Sequence, residues 1–206
     1  MKKLLGLIVV VGLGIAGLIA WNKYQQIYGS NLNSRGGEVN IYVATGSSFD
    51  ELLITLQDSG LIEDLESFVW VCDLKDFNTA KSGRYSLMRG MPNNDLVNKL
   101  RIGDQDPVKV QFNSARTLEQ LAGRMAHHIE IDSTDLIAHF NDPAVPSKYG
   151  FNKETFRTMF LPNTYEVWWN VSADDLVARM ATEYKAFWTE NRMNKARALN
   201  LSQSEV

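Results

Sequence analysis

Val39-Asn40-Ile41-Tyr42-Val43-Ala44-Thr45-Gly46-Ser47-Ser48-Phe49-Asp50-Glu51-Leu52-Leu53 sets the grammar for the folded part of this chain. Val39, Ile41 and Val43 alternate with polar or amphipathic neighbours, the period of a half-buried strand. Gly46 turns the chain. Ser48-Phe49-Asp50-Glu51 is then a capping box opening a helix that carries Leu52, Leu53 and Leu56 and ends at Gly60. A second helical run extends from Asp64 to about Leu74, and Gly83-Arg84-Tyr85-Ser86-Leu87 returns as a strand. The order strand, helix, helix, strand predicts a small α+β unit.

Downstream the grammar restarts. Asn94 is placed to cap a helix carrying Leu96, Val97 and Leu100, which Gly103 terminates. Val108, Val110 and Phe112 alternate as another strand, and Thr117-Leu118-Glu119-Gln120 is a second capping box. Val39 to Leu56 and Val108 to Met125 thus echo each other, as in an internal repeat. Asp132 to Phe140 predicts a further helix, closed by Asn141-Asp142-Pro143. Ser172-Ala173-Asp174-Asp175 opens one long helix with Leu176, Val177, Met180, Tyr184, Phe187 and Trp188 at helical spacing, and Asn200 ends it. Ser202-Gln203-Ser204-Glu205 is one more capping box, with Val206 a single turn into a new helix. So short a helix does not stand alone, so the natural protein is expected to continue past Val206.

Upstream, Lys2 and Lys3 precede an unbroken apolar run from Leu4 to Ala20, and Trp21, Lys23 and Tyr24 follow it. At 1.5 Å per residue the run covers roughly 26 Å, and interfacial aromatic residues extend it, which predicts a spanning helix. The two lysines favour a cytoplasmic N-terminus, so a single pass through the cytoplasmic (inner) membrane would leave the rest of the chain extracytoplasmic. A cleaved signal peptide shares the charged start and apolar run, but its best small-residue pair, Gly14 and Ala16, falls inside the run rather than at its end. Gly12-Leu13-Gly14-Ile15-Ala16-Gly17 matches the spacing of a dinucleotide-binding turn. Context rejects that match, because apolar residues continue to Ala20 where an amphipathic helix and a second strand are required. From Asn22 to Glu38 the chain is polar, with Gly29-Ser30 and Gly36-Gly37, and predicts a linker.

Composition removes several function classes. The 206 residues are 45% hydrophobic and 22% charged with a formal net charge of −3, which lacks the basic excess of a nucleic-acid-binding surface. Cys72 is the sole cysteine, so no internal disulfide or thiolate cluster forms, and its place in Phe68-Val69-Trp70-Val71-Cys72 predicts a buried, inert thiol. His127-His128-Ile129-Glu130-Ile131-Asp132 gathers candidate ligands without the H-E-x-x-H or H-x-x-x-H spacing of a metal site. No G-x-S-x-G elbow, P-loop or kinase signature occurs, and nothing calls for a cofactor.

The most distinctive stretch is Phe160-Leu161-Pro162-Asn163-Thr164-Tyr165-Glu166-Val167-Trp168-Trp169-Asn170. With the long helix and Leu199-Asn200-Leu201-Ser202 after it, the stretch resembles the F-x-P-[DN]-T-Y segment of the YceG-like, or MltG-type, endolytic murein transglycosylases. Gly83-Arg84-Tyr85-Ser86-Leu87 is similar to that family's G-x-Y-x-[IL] stretch, so the resemblance runs along the whole chain. It implies an α+β protein with a transmembrane anchor at 1–21, a linker at 22–38, a LysM-like βααβ subdomain at 39–104, and at 105–206 the N-terminal part of an incomplete mixed α/β catalytic domain. The implied partners are peptidoglycan glycan strands and cell-wall synthases.

The implied reaction cleaves the bond between N-acetylmuramic acid and N-acetylglucosamine within glycan strands. A glutamic acid protonates the leaving oxygen, its carboxylate takes the C6 hydroxyl proton, and a 1,6-anhydro ring closes. In such proteins that glutamate lies on the helix after the equivalent of Ser202, in an A-S-[IL]-[VI]-E-like sequence that is not found here, so the general acid is expected beyond Val206. Glu205 sits too early and reads as a capping carboxylate. Within the chain the resemblance points to Asn163 and Tyr165 as orienting groups and to Trp168 and Trp169 as sugar-packing rings. Phe156-Arg157-Thr158 departs from the Leu-Glu-Gly common before this motif. The alternative function is a membrane-anchored peptidoglycan-binding or interaction module without catalytic power.

Overall fold

The computed structural model describes residues 2–33 and 37–206, so Gly36 of the expected linker lies outside the described residues. Helix α1 (Lys2–Tyr28) is roughly 40 Å long at 1.5 Å per residue, and Gly6–Tyr28 is apolar and long enough to cross a membrane. Residues 22–28, expected as linker, are helical. No glycine or proline interrupts them before Gly29, and rings three and four residues apart stack along one face: Trp21 on Tyr24 at 5.9 Å and Tyr24 on Tyr28 at 5.0 Å.

Beyond α1 the chain forms compact units, one ending at Asp106 and the other Pro107–Val206. The first contains β1 (Val39–Val43), α2 (Phe49–Asp58), α3 (Leu65–Leu74), β2 (Gly83–Leu87) and α4 (Asn93–Ile102). β1 and β2 pair antiparallel, Val39 opposite Leu87 and Val43 opposite Gly83. Their inward residues Ile41, Val43, Tyr85 and Leu87 bury against Leu56, Phe68, Val71, Leu96 and Leu100. The capping box of α2 is complete: the Ser48 N–H donates to Glu51 Oε2 at 2.7 Å, and the Glu51 N–H donates to Ser48 Oγ at 3.2 Å. Cys72 is fully buried, and burial, with Asp73 second, pushes its thiol up to about 12. Gly83 has φ +148°, and the Gln105 side chain occupies the space a Cβ would need, so only glycine fits this strand start.

α4 begins two residues earlier than expected, with Pro92 at the cap position and no side-chain capping bond. Asn94 turns its amide to Asp95 instead, and Asn93 is drawn into the interior. Past α4, Asp106 ties the chain back to β2, accepting from the Ser86 N–H at 2.7 Å with the Lys99 ammonium at 3.2 Å.

The second unit runs β3 (Val108–Phe112), α5 (Leu118–Ala126), α6 (Ser133–Asn141), α7 (Ala144–Lys148), a 3-10 turn (Phe156–Met159), β4 (Asn163–Val167), α8 (Ala173–Phe187) and α9 (Glu190–Ala198). β3 and β4 pair antiparallel, Val108 opposite Val167 and Phe112 opposite Asn163. Each unit therefore sends out a strand, passes through helices and returns antiparallel to its start. The second core gathers Val110, Leu121, Met125, Leu136, Phe140, Phe156, Tyr165 and Met180.

The long helix expected from Ser172 to Asn200 is two helices. α8 stops at Phe187, and Thr189 caps α9 by accepting from the Arg192 N–H at 3.4 Å. Trp188 is buried between them with ψ 70°, and the Arg192 guanidinium donates to the Phe187 carbonyl at 2.6 Å, which satisfies the broken end. Asn200, at φ +54°, closes α9.

Burial alone would raise the Asp106 pKa, but the Ser86 N–H and Lys99 outweigh it and hold the carboxyl below its ordinary 3.8. A depressed folded-state value means stability that is present above 3.8 and lost as pH falls through the lower folded value. Thermal unfolding between pH 5 and pH 2.5 should therefore show a steeper acid loss for the wild type than for Asp106→Asn. Parallel profiles would show that Asp106 is uncoupled from folding.

Candidate functional site

The Phe160–Asn170 stretch forms one side of the second sheet, and strand alternation decides what each residue does. Tyr165 and Val167 point into the core, while Thr164 and Glu166 are exposed, opposite Gln111 and Lys109 of β3. Trp168 continues the outward series and is 49% exposed. The result is a solvent-facing ledge of Lys109, Gln111, Thr164 and Glu166 with an aromatic ring at one end. Period-two patterning could have found these polar residues, whereas the motif pointed to Asn163, Tyr165, Trp168 and Trp169 instead.

Asn163, Tyr165, Trp168 and Trp169 are not brought to one point. Asn163 and Trp168 bracket β4, about 17 Å apart at roughly 3.3 Å per residue. Asn163 is exposed, and its Oδ1 accepts from the Thr164 N–H at 2.8 Å. Trp169 is half-buried, and its carbonyl accepts from the Glu130 N–H at 2.8 Å, pinning the chain after β4 to the segment after α5. Tyr165 departs from the expectation of a ligand-facing group. It is 3% exposed, stacks on Phe112 with ring centres 5.5 Å apart, and donates its hydroxyl to the Leu161 carbonyl at 2.5 Å. Burial first, then Glu183, pushes its pKa up to about 12, with Arg179 opposing, so the hydroxyl stays a donor. Tyr165 thereby fixes the Leu161-Pro162 turn that launches the ledge.

A separate cleft of about 470 Å³ lies between the Tyr149–Thr155 segment, α8 and the final turn, lined by Tyr149, Phe151, Tyr184, Lys185 and Ser202. None of the four expected residues lines it. Among the described residues no group of His, Cys, Asp or Glu is arranged to hold a metal ion, and His127 serves as the C-cap of α5.

Among the described residues, the three carboxyl groups that depart from ordinary values all shift downward: Asp106, Glu119 and Glu205. A general acid working near neutrality needs the opposite shift. Glu205 accepts from Ser202 through the hydroxyl at 2.6 Å and the backbone N–H at 2.9 Å, and these bonds lower its pKa. It is a capping carboxylate.

An apolar N-terminal helix long enough to span a membrane, followed by α+β units each closed by a five-residue antiparallel pair, is the architecture these residues define. The profile of the YceG-like family, whose members are broadly membrane-associated and cell-wall-related, matches residues 41–206, and the chain belongs to that family. Among solved structures, it is similar to a yceG-like protein from Listeria monocytogenes at 19% identity and TM-score 0.44, covering 81% of this chain. The chain spans 60% of the length of that protein. No curated protein matches it.

Replacing Tyr165 separates its ring from its hydroxyl. Tyr165→Phe should lower stability to urea by about 1 kcal/mol through the bond lost to Leu161. Tyr165→Ala should cost about 3–5 kcal/mol through the lost stack and cavity. Equal effects would show that the hydroxyl carries the whole contribution.

Proposed function

We propose that this chain is the membrane-anchored, glycan-engaging part of an endolytic peptidoglycan lytic transglycosylase. The observation that carries this reading is the ledge: hydrogen-bonding groups of two cross-strand pairs, Lys109 with Glu166 and Gln111 with Thr164, flanked by exposed Trp168. A glycan strand offers hydroxyl and amide edges with apolar sugar faces, and a polar patch beside an exposed ring suits that combination. Trp168 packs on a sugar face, Asn163 marks the other end, Trp169 braces the ledge, and Tyr165 holds the turn. Residues 39–104 act as a LysM-like unit on the same polymer, and α1 holds the chain in the cytoplasmic membrane with the units outside.

In the reaction of the whole protein a glutamic acid protonates the glycosidic oxygen. The glycosidic bond breaks, the resulting carboxylate accepts the C6 hydroxyl proton, and the C6 oxygen bonds to the anomeric carbon. The products are a 1,6-anhydro end and a free N-acetylglucosamine hydroxyl, with no water consumed. The exposed ledge also supports a second reading for these 206 residues by themselves, a peptidoglycan-binding module.

Trp168→Ala should weaken retention of the chain on purified peptidoglycan by about 5- to 30-fold, the ~1–2 kcal/mol of an aromatic contact, while its melting temperature holds. Unchanged retention would remove Trp168 from the binding surface. Digestion of glycan strands by the full gene product should yield 1,6-anhydro ends. Binding without new ends would leave the module reading.

A further inference from the structure

Three polar side chains are buried where α1 meets the first unit: Asn31, Ser67 and Asn93. Asn31 Nδ2 donates to Asn93 Oδ1 at 2.7 Å and to the Asp64 carbonyl at 2.8 Å, and Asn31 Oδ1 accepts from the Asp64 N–H at 2.7 Å. Asn93 Nδ2 donates to Ser67 Oγ at 3.0 Å and to the Gln26 carbonyl at 2.9 Å. Gln26 lies in the last turn of α1, where carbonyls lack helical partners, so an α4 side chain from the unit's interior caps the anchor helix. Pulling α1 away from the unit breaks the Asn93–Gln26 bond and opens the packed joint to water, so the connection is held rather than a free stalk.

Its position along α1 has a consequence. Gln26 and Ile27, the half-buried residues at the joint, follow Trp21 by about 7–9 Å of helix. The headgroup layer on one side of a bilayer is about 5–8 Å thick. The groove beside α1 is lined by Leu18, Trp21 and Asn22 from the helix and by Glu63 and Asp64 from the unit. Lys23 Nζ lies 3.8 Å over the ring of Trp70, so α3 contributes an aromatic residue at the level of the interfacial rings of α1.

We propose that the first unit sits directly on phospholipid headgroups, held there by the Asn31–Ser67–Asn93 joint, with Lys23 and Trp70 at the level of the headgroups and Glu66 beside them. The headgroups are those of the bilayer that α1 spans, and the inference rests on reading α1 as a membrane anchor. A unit seated this way reaches polymer lying against the membrane and not polymer beyond one domain height.

The test uses the 206-residue chain in nanodiscs of phosphatidylethanolamine and phosphatidylglycerol containing a little lipid whose headgroup chelates gadolinium. A nitroxide is attached at Glu66→Cys. Cys72, buried and protonated, stays unlabelled in folded protein, and label uptake there marks any variant that has lost its fold.

Relaxation of the Glu66→Cys label by the headgroup gadolinium should be strong. It should fall several-fold when about ten Gly/Ser residues, reaching roughly 17 Å on average, are inserted between Tyr28 and Gly29. Asn93→Ala should shift it the same way, and if that variant takes up label at Cys72 the insertion decides alone. Equal relaxation with and without the insertion would overturn the proposal. A second label at Leu13→Cys distinguishes the premise: exposure to an aqueous nickel chelate there would overturn the anchoring itself.

Discussion

An isolated two-stranded sheet is marginal in water, and both units of this chain are built on one. Each antiparallel pair has a single face to bury, so its survival depends on helices covering that face. In the first unit Ile41, Val43, Tyr85 and Leu87 supply the face, and Phe68, Leu56 and Leu100 close it. In the second, Val110, Phe112, Tyr165 and Val167 meet Leu121, Met125 and Phe140. The outer face is left to solvent, and in the second unit that leftover face is the candidate binding ledge. One constraint thus produces both core and site.

The same tyrosine device secures each pair. Tyr85 donates to the Lys81 carbonyl at 2.6 Å, and Tyr165 donates to the Leu161 carbonyl at 2.5 Å, each reaching four residues back along its own chain. Both hydroxyls are pushed up to about 12, burial being the first cause, so neither bond is lost in the physiological range. A ring in the core and a hydroxyl on the preceding turn lock the entry angle of a short strand. A residue that resembles a site residue by motif therefore serves the site by holding its backbone.

Polar burial is concentrated at the root of α1, where Asn31, Ser67 and Asn93 satisfy one another and the end of the helix. The linker expectation failed there because a polar run without tertiary context looks solvated. Asn93 illustrates the point: its residue type predicts a cap or a turn, yet its side chain is fully buried and bonds to Asn31, Ser67 and the Gln26 carbonyl. The split between α8 and α9 was hidden for a related reason. Trp188 fits the apolar period of α8, and only its burial in the bend shows that the helix has already ended.

Local chemistry was legible from the chain alone: the apolar run of α1, the Ser48 and Thr117 caps, the strands at Val39, Gly83 and Val108, and the inert Cys72. These follow from side-chain period, glycine placement and capping, which act within a few residues and are written in order. The register of the pairs, the inward turn of Tyr165 and Asn93, the extension of α1 to Tyr28 and the separation of Asn163 from Trp168 were decided by the fold. They depend on which distant surfaces meet, and burial free energy, unlike capping, is a property of the pair and not of either segment.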